Sequence, residues 1–165
     1  MILPGENDMA SQFPRIAQEW HPTKNGPLLP SQVTPSCKRR VWWLCPQGHE
    51  YVAAVGMRTM RNSGCPYCAG KKVLAGFNDL STTELEIAAQ WHPTLNGSLT
   101  PQMVTAGSHK KVWWICAEGH VWKATIYSRA GKQRRGCPVC AGVVNGKRRA
   151  RYEKMLAEVK EVMSV

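Results

Sequence analysis

Val41-Trp42-Trp43-Leu44-Cys45-Pro46-Gln47-Gly48-His49, followed after a gap by Gly64-Cys65-Pro66-Tyr67-Cys68, decides the fold. The same pattern returns as Val112-Trp113-Trp114-Ile115-Cys116-Ala117-Glu118-Gly119-His120 and Gly136-Cys137-Pro138-Val139-Cys140. Each copy reads Cys-x3-His, a gap, then Cys-Pro-x-Cys. Three thiolates and one imidazole make a closed tetrahedral donor set that zinc favours, a structural rather than a catalytic arrangement. The predicted ligands are Cys45, His49, Cys65 and Cys68, and Cys116, His120, Cys137 and Cys140, for two structural Zn2+ ions. A pair of disulfides or idle thiols is the alternative, and the paired spacing argues against it.

The repetition extends well beyond the ligands. Gly5-Glu6-Asn7-Asp8-Met9 returns as Gly76-Phe77-Asn78-Asp79-Leu80, an offset of 71 (5 to 76). Trp20-His21-Pro22-Thr23-Lys24-Asn25-Gly26 returns at the same offset as Trp91-His92-Pro93-Thr94-Leu95-Asn96-Gly97. The closing cysteine pair is offset by 72 (65 to 137), so the second copy carries one extra residue between His120 and Cys137. Such an insertion belongs in a loop or hairpin tip. The units are placed at residues 1–75 and 76–146, with a tail of different character at 147–165. The linker, Lys71 to Gly76, is short.

The chain has 165 residues, with 7 Trp and 2 Phe. A repeat this small buries too little apolar surface to be secure alone, and zinc and tryptophan supply the difference. No signal peptide and no apolar run long enough to span a membrane is read from the sequence. Six of the seven cysteines are assigned as ligands, which suits a reducing, cytoplasmic setting. The formal charge is +11; six thiolates and two zinc dications would bring it to +9 (eleven less six plus four). With a sequence pI of about 9.6, this balance predicts a polyanionic partner, most often nucleic acid.

Ser81-Thr82-Thr83-Glu84 has the form of a capping box, with Ile87, Ala88 and Trp91 at helical spacing after it. Each unit is therefore predicted to open with one short helix ending near its Trp. Pro22 and Pro93 stop it, and Asn25-Gly26 and Asn96-Gly97 mark a turn. A strand over Arg40–Leu44, matched by Lys111–Ile115, delivers the first ligand. Gly48 and Gly119, one residue before each ligand His, suit a zinc knuckle. A second strand is read over Tyr51–Val55 and Val121–Ile126. Pro66 and Pro138 place the last two thiolates at the start of a short helical turn. The predicted fold class is thus small α+β zinc-stabilised modules: short helix, β-hairpin, knuckle and Cys-Pro-x-Cys turn, twice, plus a C-terminal helix.

A knuckle, a hairpin and two ligands at a helix start is treble-clef organisation. The run Asn-Asp-Leu, Ile-Ala-Ala-Gln-Trp-His-Pro-Thr-x-Asn-Gly, Val-Trp-Trp-x-Cys, Gly-His and Gly-Cys-Pro-x-Cys resembles the zinc-ribbon family of treble-clef type. That family occurs in tandem arrays in bacterial, phage and mobile-element proteins. The resemblance implies zinc, the fold and nucleic-acid binding, sometimes beside a nuclease domain.

Other residues carry weaker readings. Cys37 aligns with Ser108 and is a loop residue; His109 is a surface residue. His21 and His92 recur, and hydrogen bonding within the unit is expected of them rather than metal ligation. Trp42 and Trp43, like Trp113 and Trp114, must point to opposite faces of a strand. One enters the core, and the opening helix is expected to cover the other; an exposed ring would be available to stack on a base. Lys38, Arg39 and Arg40, Lys110 and Lys111, Arg58 and Arg129, and Lys132, Arg134 and Arg135 suggest a basic face on each unit for a phosphate backbone. Arg58 and Arg129 have a second reading, as local hydrogen-bond donors near the thiolates.

In the tail, Lys147, Arg148, Arg149 and Arg151 oppose a helix dipole, an arrangement that an anion would relieve. Behind them an apolar stripe that includes Tyr152, Met155, Leu156 and Val159 needs a surface: this chain, a second copy or another protein. No paired carboxylates, phosphate-binding glycine loop, nucleophile elbow or zinc-protease motif is present. The sequence therefore predicts a non-catalytic tandem zinc-finger protein that binds nucleic acid, DNA favoured. A protein-interaction adaptor docking through the C-terminal helix, or an accessory subunit of a nuclease or mobile-element complex, is the alternative.

Overall fold

The computed structural model describes residues 1–164; Val165, the last residue of the predicted tail, lies outside the described residues. The chain divides into two compact units, Met1–Lys71 and Lys72–Val165. The first contains α1 (Met9–Gln12), α2 (Pro14–Ala17), a 3-10 turn (Pro30–Gln32), β1 (Arg40–Leu44), β2 (Glu50–Ala54) and α3 (Val55–Thr59). The second repeats this as α4 (Leu80–Thr83), α5 (Leu85–Ala88), a 3-10 turn (Pro101–Met103), β3 (Lys111–Ile115), β4 (Val121–Thr125) and α6 (Ile126–Ala130), and adds α7 (Gly146–Met163).

The opening helix differs from its sequence reading. It is two single turns, and Asp8 or Asp79, not Ser81, caps the first. The Asp79 carboxylate accepts from the Thr82 backbone N–H at 3.1 Å, the Gly76 N–H at 2.6 Å and the Thr82 hydroxyl at 2.7 Å. Asp8 accepts from the Ser11 N–H at 2.9 Å and from the Gly5 N–H. A carboxylate satisfying donors on both sides of the helix start outcompetes a serine hydroxyl for the cap. The helix then breaks at Phe13 (φ −131°) and Glu84 (φ −138°). Pro14 explains the first break, since the residue before proline avoids helical angles. Glu84 adopts the same angles without a proline after it, so the geometry belongs to the fold.

β1 pairs antiparallel with β2, with Trp42 opposite Val52 and Trp43 opposite Tyr51; β3 pairs with β4 in the same register, Trp113 opposite Lys123 and Trp114 opposite Trp122. The free edge of β1 is bound by the helix exit. The Leu44 N–H donates to the Glu19 carbonyl at 2.7 Å, and the His21 N–H to the Trp42 carbonyl at 3.1 Å. In the second unit Ile115 and His92 make the same bonds to Gln90 and Trp113, at 2.8 and 3.0 Å. Val55 and Ile126, read as strand residues, instead begin α3 and α6, helices that the sequence reading missed.

Each unit has its own core. Trp43 and Trp114 are fully buried, and Trp20 and Trp91 meet them edge-on at 5.5 Å. Met9 and Leu80, just after the aspartate caps, are also fully buried. Ile16 and Ala17 pack onto the same face as Trp43, so the opening helices cannot cover the opposite one. Trp42 is accordingly 37 % exposed and Trp113 half-buried, contrary to the expected cover. Asn25 holds the Trp42 backbone instead, accepting from its N–H at 2.8 Å and donating to its carbonyl at 2.9 Å; Asn96 does the same for Trp113 at 2.7 and 2.9 Å.

The tail finds its surface within the second unit. Tyr152 and Met155 pack against that unit's core, Val159 is buried, and the Tyr152 hydroxyl donates to the Val121 carbonyl at 2.8 Å. The described part of the 147–165 segment is thus integral to the second unit. Among the described residues, no helix is long and apolar enough to cross a membrane.

Candidate metal centres

Each centre is assembled from two backbone devices. The first is the knuckle at the end of β1 or β3. The Cys45 N–H donates to the His49 carbonyl at 3.0 Å and the Gly48 N–H to the Cys45 carbonyl at 2.8 Å; Cys116, His120 and Gly119 repeat the bonds at 3.1 and 2.9 Å. The turn puts Gly48 at φ +83° and Gly119 at φ +77°, which a residue with a Cβ adopts only with strain. The second device is the expected short turn around Cys-Pro-x-Cys, a single turn in each unit. Gly70 (φ +66°) ends it, with the Lys71 N–H donating to Pro66 at 2.8 Å and the Gly70 N–H to Tyr67 at 3.0 Å, a Schellman closure. Gly142, Val143, Pro138 and Val139 reproduce it.

These devices bring the predicted ligands together. In each tetrad one donor atom per residue lies within 4.8 Å of all the others. In the first, Cys45 Sγ is 3.8 Å from Cys68 Sγ, and His49 Nδ1 lies 3.5, 3.3 and 3.8 Å from the sulfurs of Cys45, Cys68 and Cys65. In the second, Cys116 Sγ is 3.9 Å from Cys140 Sγ, and His120 Nδ1 is 3.5 and 3.4 Å from Cys116 and Cys140. A tetrahedron with zinc–sulfur bonds of about 2.3 Å and zinc–nitrogen bonds of about 2.0–2.1 Å has S–S edges of about 3.8 Å and S–N edges of about 3.6 Å. The distances given above lie within about 0.3 Å of these edges, and in both tetrads the histidine offers Nδ1.

The electrostatics point the same way. Burial raises the Cys116 thiol, but N–H groups of His120 and Glu118 aimed at its sulfur outweigh this and bring it to about 7; Cys45 is lowered in the same manner by His49 and Gln47. Burial and then the neighbouring sulfurs push Cys68 up to about 12 and Cys140 up to about 11. Three thiolates so close cannot all ionise unless a cation lies among them. The donor set, spacing and charge fit two structural zinc ions, which supply a dication that fixes all four side chains of each unit.

The structure corrects the expected basic face at two positions. Arg58 and Arg129 are only 5 % and 4 % exposed and do not reach solvent as phosphate contacts. The Arg58 guanidinium lies 5.2 Å from the Trp43 ring centre and 5.9 Å from that of Tyr51, pairs with Glu19, and donates to the Ser63 carbonyl at 2.6 Å. Arg129 lies over Trp114 and Trp122 at 4.8 and 4.9 Å, and donates to Gln90 at 2.5 Å and to the Arg135 carbonyl at 3.2 Å. Their other reading, as donors inside the unit, is the geometry observed. Each ties its core to the loop that leads into the cysteine pair. That loop holds the extra residue of the second unit, between α6 and Arg134, and carries the positive-φ residues Asn62 and Arg134.

The other predicted contact residues are exposed: Lys38, Arg39, Arg40, Lys110, Lys111, Lys132, Arg134, Arg135, Lys147, Arg148, Arg149 and Arg151. Arg134 is held by Glu84 at 2.7 and 3.0 Å, and Arg149 by Glu153 at 3.3 Å. His21 and His92 stand apart from the tetrads. His21 Nε2 meets Glu50 at 2.8 Å, and in both residues Nδ1 accepts two backbone N–H groups at 3.2–3.3 Å. The sequence reading missed Lys24 and Lys123, whose ammonium groups lie 4.7 and 5.2 Å from the ring centres of Trp42 and Trp113. The signal for Lys123 was its cross-strand register with Trp113.

A hairpin knuckle that gives Cys and His, and a closing turn that gives two Cys, define a treble-clef zinc module, here present twice. The family described as "Probable Treble clef zinc finger domain" matches residues 16–71 and 87–143, more than half of the chain, and the chain belongs to it. No curated protein matches the chain.

Proposed function

We propose that this chain is a non-catalytic tandem zinc-finger protein that binds nucleic acid, DNA foremost, in a reducing compartment such as the cytoplasm. The observation that carries the reading is the state of its surface cations. Twelve predicted contact residues are exposed, and of these twelve only Arg134 and Arg149 have an ion-pair partner among the described residues. Lys38 to Arg40 and Lys110 to Lys111 occupy matching places where β1 and β3 begin, so each unit offers cations at the same point of its fold. Unpaired cations on rigid elements are what phosphate contacts require, and such contacts carry affinity rather than sequence preference. The zinc centres hold these elements in place and have four protein ligands each, leaving no position for substrate.

The test is binding of the zinc-loaded protein to labelled single- and double-stranded DNA and RNA across a salt series, with metal content measured on the same sample. Neutralising Arg134, Arg135, Arg148 and Arg149 together is expected to reduce the slope of log Kobs against log salt by about 3.6 on duplex DNA if all four contact phosphates. No binding at low salt with two zinc ions present would end the proposal.

A further inference from the structure

We infer that the second unit holds a groove for one unpaired nucleotide, between α7 and the outer face of the β3–β4 hairpin. The inference rests on the nucleic-acid reading above and specifies where and in what form the strand is held.

α7 is pinned along β4 by Tyr152 and Met155. Between its first turns, the hairpin and the segment after the cysteine turn lies a cavity of about 440 Å³. Its volume falls in the range of small-ligand sites, about 300–1,000 Å³. Lys111 and Lys123 reach it from the strands and Arg148 and Arg151 from the helix, and no carboxylate lines it. Val143 and Met155 contribute to an apolar strip between the cations. Four like charges around a concave apolar strip repel one another, and Arg148, in the first turn of α7, also opposes the positive end of that helix. An anion relieves both.

The chemistry selects a ligand with a phosphate joined to a flat, weakly polar body. In a duplex the base faces are stacked inside, and only phosphates, sugars and base edges are offered, so no flat apolar face meets the strip. An unpaired nucleotide offers its phosphate to the cations and one face of its base for apolar burial against Val143 and Met155. Among the described residues, the first unit lacks the parts that build this groove. The hairpin position of Lys123 is Val52 there, opposite Trp42 in the same register, and no helix equivalent to α7 follows.

The experiment compares a short oligothymidylate with a fully paired hairpin DNA, using the full chain with both zincs bound. The groove variant K123A/R151A is set against the control K38A/R39A, which removes two exposed cations from the first unit. The groove variant is expected to lose about ten-fold in single-strand affinity and about 1.4 in salt slope, while its duplex binding falls no further than the control's. In methyl-resolved NMR, the oligothymidylate is expected to shift Met155 and Val143 and leave Met57 and Met60 in place. Equal losses in the two variants, or unmoved Met155 and Val143 methyls while wild-type binding persists, would overturn the groove and leave the wider proposal standing. Absence of binding to every nucleic acid would overturn both.

Discussion

Replacing Arg58 with Ala strikes the point where core, helix exit and cysteine loop meet. The guanidinium is buried, pairs with Glu19, bonds the Ser63 carbonyl and lies beside two aromatic rings. Breaking a buried pair by removing one partner costs about 3–5 kcal/mol, mainly because the other charge is stranded. The Glu19 side chain is 23 % exposed and recovers some hydration, which places R58A near the lower end, about 3 kcal/mol. The chain contains its own comparison. In the second unit Gln90 takes the place of Glu19 and still accepts from Arg129 at 2.5 Å. E19Q should therefore keep an acceptor and lose only charge assistance, about 1 kcal/mol. The double variant R58A/E19Q should be more stable than R58A, because no carboxylate is left unpaired. Hydrogen exchange at the β1 amides and the Trp43 indole, at fixed free zinc, reports the first unit separately. R58A within about 1 kcal/mol of wild type, or E19Q as damaging as R58A, would refute this account of the pair.

Two further outcomes follow from the centres and the caps. C137S removes a thiolate from the second tetrad and is expected to lower the zinc content from two to one. A structural zinc contributes about 10–16 kcal/mol, as much as a whole domain's net stability of about 5–15, so the second unit should unfold. The first unit's NMR signals should persist, since its core is built from its own residues, and their collapse would count against separate stabilisation. D79N should cost about 1–2 kcal/mol, because one amide oxygen cannot satisfy donors that two carboxylate oxygens hold. Burial raises the Asp79 pKa, but hydrogen bonds from Ser81, Thr82 and Gly76 overcome it and hold the folded value near 2, below the ordinary 3.8. A depressed folded value adds stability above the unfolded pKa that is lost as pH falls through about 2. The D79N cost should thus be flat between about pH 5 and about pH 8, and a steep change there would contradict it.

Much of this was readable in advance because the constraints are local or repeated. The ligands stood out by spacing, and β1 and β3 by a run ending at a ligand. Long-range geometry was harder. The aspartate caps were hidden behind a sequence that also reads as a capping box, since Ser, Thr and Glu all followed. Nothing local marks Glu84 as a break. Arg58 and Arg129 look like surface cations because their acceptors, Glu19 and Gln90, lie 39 residues away in sequence. The fate of Trp42 depended on which face the opening helix chose, and periodicity alone does not state that.

The burial of the residue after each aspartate cap bears on how the chain can be cut. The family match begins at residues 16 and 87, beyond Met9 and Leu80, yet those two are among the most deeply buried residues of their units. The Met9 N–H donates to the Val33 carbonyl and the Leu80 N–H to the Val104 carbonyl, both at 2.8 Å. A fragment trimmed to the recognised segment would keep all four zinc ligands while opening its core from one side. The smallest excisable piece starts at the glycine before the aspartate cap, Gly5 or Gly76, so the physical module is longer than the stretch by which its kinship is detected.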